Sequence, residues 1–269
     1  MPVKLSQVIY EANHLWPENL AEEWDAPGLV CGNPSQEISN VLLSVDVTQG
    51  VLSEAIERNC QLILAHHPLL LRGVTSIAVD KPKGALLTEA TRGGVAVFAA
   101  HTNADVVEDG VSDTLAKSLS LNEIRPLVST GKSEVGHGRI GKLSTPIRLG
   151  DLALAIGRLL PPTAGGVKVS GDFEKLVETV ALCGGAGDSF IDNAKEAGAD
   201  VYITSDLRHH PVQEARESNP DFSLIDISHW ASESLWLEVA AKQLSTRLTN
   251  VQFFVSDVRT DAWDFTVTQ

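Results

Sequence analysis

Apolar positions along the chain switch between a helical and a strand-like period. Leu5, Val8, Ile9, Ala12, Leu15 and Trp16 recur at helical spacing and Pro17 ends the pattern, which predicts an amphipathic first helix. A loop over 24–29 follows. The stretch 41–47 reads as a strand, and Thr48 is placed to cap a helix over 51–58. The short apolar run 60–65 predicts a buried strand. A helix over 85–91, a strand over 95–100 and a helix over 113–121 come next. Strand and helix alternate, which predicts an α/β fold with a largely parallel sheet.

The middle of the chain breaks this rhythm. Residues 135–141 are Gly-rich and strand-like, and a helix over 149–160 is stopped by Pro161-Pro162. Strands over 167–170 and 177–182 follow, so 126–182 reads as part of a second lobe. Alternation then resumes, with strands at 200–204, 223–227 and 251–256 and helices at 212–217 and 232–244. The run Cys183-Gly184-Gly185-Ala186-Gly187-Asp188-Ser189 lacks the last glycine of G-x-G-x-x-G, where Phe190 stands. It predicts a tight turn with Ser189 and Asp192 as a capping box rather than a dinucleotide site.

Composition narrows the function classes. The 269 residues carry 35 acidic and 21 basic side chains, a net charge of −14. No Lys/Arg run supplies the basic footprint of a nucleic-acid binder. No apolar run reaches the ~18 residues of a membrane span, and the first residues lack an apolar signal core, so a cytoplasmic protein is expected. Cys31, Cys60 and Cys183 are widely separated and form no C-x-x-C pair, which predicts reduced, buried thiols. Neither G-x-x-x-x-G-K-[ST] nor G-x-S-x-G is present, which sets aside Walker-type NTPases and nucleophile-elbow hydrolases.

The histidines carry the chemistry. His66-His67-Pro68 ends the run 60–65, and His101 ends 95–100 with Asp105 four residues on. His229 ends 223–227 with Glu233 four residues on, a spacing that puts both on one helix face. Strand ends are where α/β folds place ligands. Imidazole and carboxylate without thiolate suit Zn, Fe, Mn, Co or Ni, and a bridging carboxylate can hold two such ions. A second His-His-Pro, 209–211, also precedes a strand and a His-x₃-acid pair, which raises the question of a duplicated unit. Arg72, close behind the first His-His-Pro, is a candidate contact for an anionic substrate.

These motifs together resemble the GTP cyclohydrolase type 2 homologues, the Ngg-interacting-factor-three-like proteins. The resemblance runs over nearly the whole chain. It includes Trp24-Asp25, Gly28-Leu29, His66-His67-Pro68, His101-Thr102-Asn103-x-Asp105, Gly110-Val111 and Asp113. It continues through Gly136-x-Gly138-Arg139-Ile140-Gly141, Gly184-Gly185-x-Gly187, 199–204 and Asp226-x-x-His229 with Glu233. Ser205, Ala26-Pro27 and Ser112 depart from the usual pattern, which bears on substrate identity rather than on the metal.

The resemblance implies two interleaved α/β lobes with mixed, largely parallel sheets flanked by helices, over 1–125 and 126–269, with 220–269 returning to complete a metal site. It implies two divalent metal ions per chain on His66, His67, Asp105, His229 and Glu233, with Glu233 bridging, and a homohexamer. His101 and His210 then stand as proton-transfer candidates at the rim. Two functions remain open. One is a metal-dependent hydrolase of a small substrate, with a nucleotide as one candidate class. The other is a non-catalytic metal carrier or assembly protein.

Overall fold

The computed structural model describes residues 1–131 and 134–268, so residues 132, 133 and 269 of the expected second lobe lie outside it. Contacts divide the chain into two units, residues 1–104 with 237–260, and residues 105–236 with 261–269.

The first unit begins with a short strand β1 (Val3–Lys4) and helix α1 (Leu5–Leu15). Strands β2 (Gly28–Cys31), β3 (Glu37–Ile38) and β4 (Asn40–Ser44) follow. Then come α2 (Gln49–Glu57), β5 (Leu62–Ala65), α3 (Pro82–Arg92) and β6 (Ala96–Ala99). The short helix α4 (Thr102–Asp105) leads out of the unit. The chain re-enters it along α9 (His229–Arg247) and ends in β13 (Gln252–Val255), as elements are counted along the whole chain.

The five-stranded sheet of this unit has the order β13-β4-β5-β6-β2, parallel except for β2. Leu42, Ile63 and Val97 share one face and pack with Val51, Leu52 and Ala55 of α2 and Ala90 of α3. The predicted Thr48 cap is present, its hydroxyl accepting from the Val51 N–H. The expected loop over 24–29 ends earlier than thought, because Gly28 and Leu29 pair with Ala99 and Phe98 as the antiparallel edge strand.

The second unit contains α5 (Val111–Ser118), β7 (Asn122–Ser129), β8 (Gly136–Arg148) and α6 (Leu149–Leu159). It continues with β9 (Lys168–Ser170), β10 (Leu176–Ala186), α7 (Ile191–Glu196), β11 (Val201–Ser205), α8 (His209–Ser218) and β12 (Ser223–Ile227). Its six-stranded mixed sheet runs β7-β8-β10-β11-β12-β9. Period-two alternation splits the strands cleanly between two cores. Val180, Leu182, Val201, Ile203, Ile225 and Ile227 face α5 and α6. Ala181, Cys183, Tyr202 and Leu224 face α7 and α8.

Two sequence expectations change here. The glycine run is not a turn: β10 continues through it to Ala186, and α7 starts at Ile191 without a side-chain cap. The capping box is therefore absent, because the chain passes through a single 3₁₀ turn at Asp188–Phe190 first. The second His-His-Pro does not end a strand. Asp206, Leu207 and Arg208 intervene after β11, and His209 and His210 open α8, where Pro211 suits a first turn. The two His-His-Pro segments are thus not structural equivalents.

Candidate metal centre

In the first unit the parallel ladder carries the histidines to the carboxyl end of the sheet. The His66 and His67 N–H groups donate to Ser44 and Val45 O, so pairing with the β4 side persists past Ala65. His101 follows β6 after one residue. Its loop is locked by its own motif. The Asn103 side chain accepts from His101 N–H (2.9 Å) and donates to Trp16 O (2.7 Å). Thr102 donates to Asp25 through both its N–H and its hydroxyl.

His66, His67 and His101 each offer a ring nitrogen, and these three atoms lie within 4.8 Å of one another. Each ring is oriented from behind. His66 Nδ1 lies 2.9 Å from Ala100 O, His67 Nδ1 2.8 Å from Asp46 Oδ1, and His101 Nδ1 2.7 Å from Asp25 Oδ1. An acceptor at Nδ1 fixes the tautomer that leaves the Nε2 lone pair for a cation. Burial alone would raise the Asp25 carboxyl, but hydrogen bonds from His101 and Thr102 outweigh it and hold the group well below the usual carboxylate range. Asp25 therefore stays ionised behind His101.

The second unit repeats the device with carboxylates added. His229 Nδ1 lies 2.7 Å from Asp206 Oδ2, and His229 Nε2 lies 3.0 Å from Glu233 Oε1 one helical turn on. The His229 hydrogen bond lowers the Asp206 carboxyl, although partial burial opposes it. The Cys183 thiol is pushed up to about 12 by burial first and by the Asp105 carboxylate next, with Glu233 adding to it. Asp105 and Glu233 thus both act on the space around Cys183.

Gly185 makes room there. Its φ is +69°, and a Cβ at this position would lie 2.4 Å from Glu233 Oε1 and 3.3 Å from His229 Nε2. Its backbone is fixed on both sides, its N–H donating to Ser232 Oγ (2.9 Å) and its O accepting from Thr204 Oγ1 (3.0 Å).

Arg139 ties Asp105's surroundings to the sheet. This buried guanidinium donates to Asp113 Oδ1 (2.9 Å), to Gly136 O and Gly138 O, and to Val106 O and Val107 O. The last two carbonyls directly follow Asp105 in the chain. All five donors of the fork are used, which accounts for an arginine in a dry site.

Among the sequence candidates, the first unit brings His66, His67 and His101 together, and the second brings His229 and Glu233 together. Arg72 is exposed in the loop after β5. His210 is exposed on α8, its ring 5.2 Å from that of His209. Sequence reasoning missed the orienting acids Asp46 and Asp206, and did not assign Asp25 its role. Asp46 and Asp206 each stand alone just after a buried strand, which is the signal that could have found them.

Mixed α/β units with oriented imidazole and carboxylate groups define a protein whose donor set suits a divalent transition metal. The sequence profile of Duf34/NIF3 (NGG1p interacting factor 3) matches residues 3–262, and the chain belongs to this family. The resemblance read from the motifs is thereby borne out. A Streptomyces coelicolor protein named "GTP cyclohydrolase 1 type 2 homolog" is 44% identical over 97% of this chain and 93% of its own length. A Clostridium perfringens protein of the same name is 33% identical over 98% of this chain and 100% of its own. The structure of a Staphylococcus aureus hypothetical protein has a TM-score of 0.92 at 26% identity, covering 99% of this chain and 100% of that one. The fold is also that of a Bacillus cereus protein related to NIF3, with a TM-score of 0.91 at 24% identity and the same coverage. Among the described residues, no helix is long and apolar enough to cross a membrane.

Proposed function

We propose that this chain binds two divalent metal ions and is a metal-dependent hydrolase of a small substrate, with nucleotides as the first class to examine. The observation that carries the reading is that His66, His67, His101 and His229 each have Nδ1 held by an acceptor, three of the four acceptors being carboxylates. Histidines that merely fill a core have no need of that arrangement; metal-binding histidines do.

In this reading His66, His67, Asp105, His229 and Glu233 hold the ions, with Glu233 shared between them. Bound divalent ions supply Lewis acidity and lower the pKa of water toward neutrality. His101, backed by ionised Asp25, is the group that takes or returns a proton, because imidazole exchanges protons near working pH. His210 is a second candidate for that work. Arg72, exposed and cationic, receives the anionic part of the substrate. The functional assembly is a homohexamer, a reading supported by the family resemblance. The cell compartment proposed is the cytoplasm.

The test is a screen of metal-loaded protein against nucleotides, phosphoesters and cyclic amides. Turnover that disappears in His101→Ala while metal content stays supports the assignment. Metal loss in His101→Ala makes that residue a ligand instead. No turnover across the panel at full loading moves the reading to a metal carrier.

A further inference from the structure

The chain holds five tryptophans. Trp16 and Trp236 are fully buried, and Trp230 packs against the second unit's core. Trp24 and Trp263 are mostly exposed, at 60% and 69%. An indole left in water is a large apolar surface without a cover. Trp24 differs from Trp263 in how firmly it is held and in what it stands beside.

The residues on either side of Trp24 are tied to the loop that follows β6. The Glu22 N–H donates to Thr102 Oγ1 (3.0 Å), and the Asp25 N–H donates to Glu22 O (3.0 Å). The Asp25 carboxylate accepts from the Ala26 N–H (2.7 Å), the Thr102 N–H (3.0 Å) and the Thr102 hydroxyl, and lies 2.7 Å from His101 Nδ1. Trp24 is therefore carried on a closed turn. The Asp25 side chain is fully buried in it, while the indole next door stays open. The indole meets the His101 ring edge-to-face, centroids 6.0 Å apart and planes at 81°. His101 meets the His66 and His67 rings in the same manner, at 5.2 and 5.4 Å. All of these residues belong to the first unit. An open aromatic surface thus borders the three imidazoles.

An indole is no metal ligand, because its N–H only donates. What it offers is a π face, on which planar heterocycles stack. We propose that Trp24 is a substrate-binding residue that stacks a planar heteroaromatic ring, such as a nucleobase, beside His101. The proposal rests on the reading above, in which the reaction takes place at the histidines, and it narrows the small substrate to one that carries such a ring. Stacking reads the face of a base rather than its edge, so different bases bind alike.

Calorimetry on the metal-loaded full-length protein tests this with adenosine 5′-monophosphate, guanosine 5′-monophosphate and ribose 5-phosphate, which lacks the ring. Both nucleotides should bind at least tenfold more tightly than ribose 5-phosphate. Trp24→Ala should weaken the nucleotides about tenfold to a hundredfold and leave ribose 5-phosphate and metal content unchanged. Trp24→Phe, which keeps an aromatic face, should retain most of the nucleotide affinity. The proposal is overturned if the nucleotides do not bind, or bind no better than ribose 5-phosphate. It is also overturned if Trp24→Ala leaves nucleotide affinity intact, weakens all three compounds alike, or loses metal. Failure of the hydrolase reading looks different: the expected binding pattern without turnover removes the hydrolase and leaves Trp24 as a ring-binding residue. Turnover of ring-free phosphoesters without nucleotide binding does the reverse.

Discussion

Asp46 Oδ1 lies 2.8 Å from His67 Nδ1 while its other oxygen accepts from Thr260 Oγ1. The carboxylate is thus held from behind as it holds the imidazole in front, and His67 cannot rotate without breaking a charge-assisted bond. Asp206 Oδ2 likewise lies 2.7 Å from His229 Nδ1. Asp46→Asn and Asp206→Asn should each lower metal affinity by about 10–100-fold while leaving the fold intact, because outer partners set ligand orientation and basicity. A competition titration against a chromophoric chelator, with circular dichroism as the fold check, measures this. Unchanged affinity in both variants would remove the orienting role.

Asp113 and Arg139 form a buried ion pair, and removing one partner leaves the other charge without compensation. Asp113→Asn is expected to cost about 3–5 kcal/mol, read as a drop in the urea midpoint. Burial would raise the Asp113 carboxyl, but hydrogen bonds from Lys117, the Asp109 N–H and Arg139 together bring it below its ordinary value. A carboxyl depressed in the folded state adds stability above its unfolded pKa of about 4, and that stability is lost as pH falls through the folded value. The wild-type protein should therefore lose stability on acidification below about pH 4 more steeply than Asp113→Asn. Parallel slopes would contradict the pairing.

Gly185→Ala meets two obstacles. The backbone is left-handed there, at a cost of roughly 1–2 kcal/mol for a residue with a Cβ, and the new methyl points at the Glu233 carboxylate. A fall in melting temperature together with weaker metal binding is expected. A variant that melts lower but binds metal normally would mean that Glu233 moves aside without consequence.

The thiols give an independent check on the cores. Burial pushes the Cys60 thiol up to about 11, even beside Arg58, and Cys183 up to about 12. Only the thiolate reacts with a disulfide reagent. At neutral pH the native protein should release at most one equivalent of colour, from half-buried Cys31, and three after unfolding. Rapid reaction of a second native thiol would show that one of these cores opens readily.

Much of this fold was legible because its strands are short, buried and separated by amphipathic helices. The first helix, the Thr48 cap, the strand before His66 and the strand over 223–227 are where the pattern put them. Strand β7 was missed because its first half is mostly exposed and Pro126 interrupts it, so it lacks an apolar run. The glycine run misled for a physical reason. Glycines usually punctuate, but here Gly184 and Gly185 are buried in β10, where Val111, Glu233 and His229 approach too closely for a side chain. The site histidines were visible from strand-end position and from the Glu233 spacing. The acids behind them were not, since Asp25 and Asp46 are 76 and 21 residues away from the rings that they orient.

The central claim is that these imidazoles and carboxylates are there to hold metal. Elemental analysis of full-length protein purified without chelator and dialysed against metal-free buffer tests it most directly. The account predicts close to two equivalents of a divalent transition metal per chain, falling to near zero in Glu233→Ala, since the proposed centre would share that carboxylate between both ions. A wild-type value that stays at zero after loading with Zn, Fe, Mn, Co and Ni in turn would contradict it.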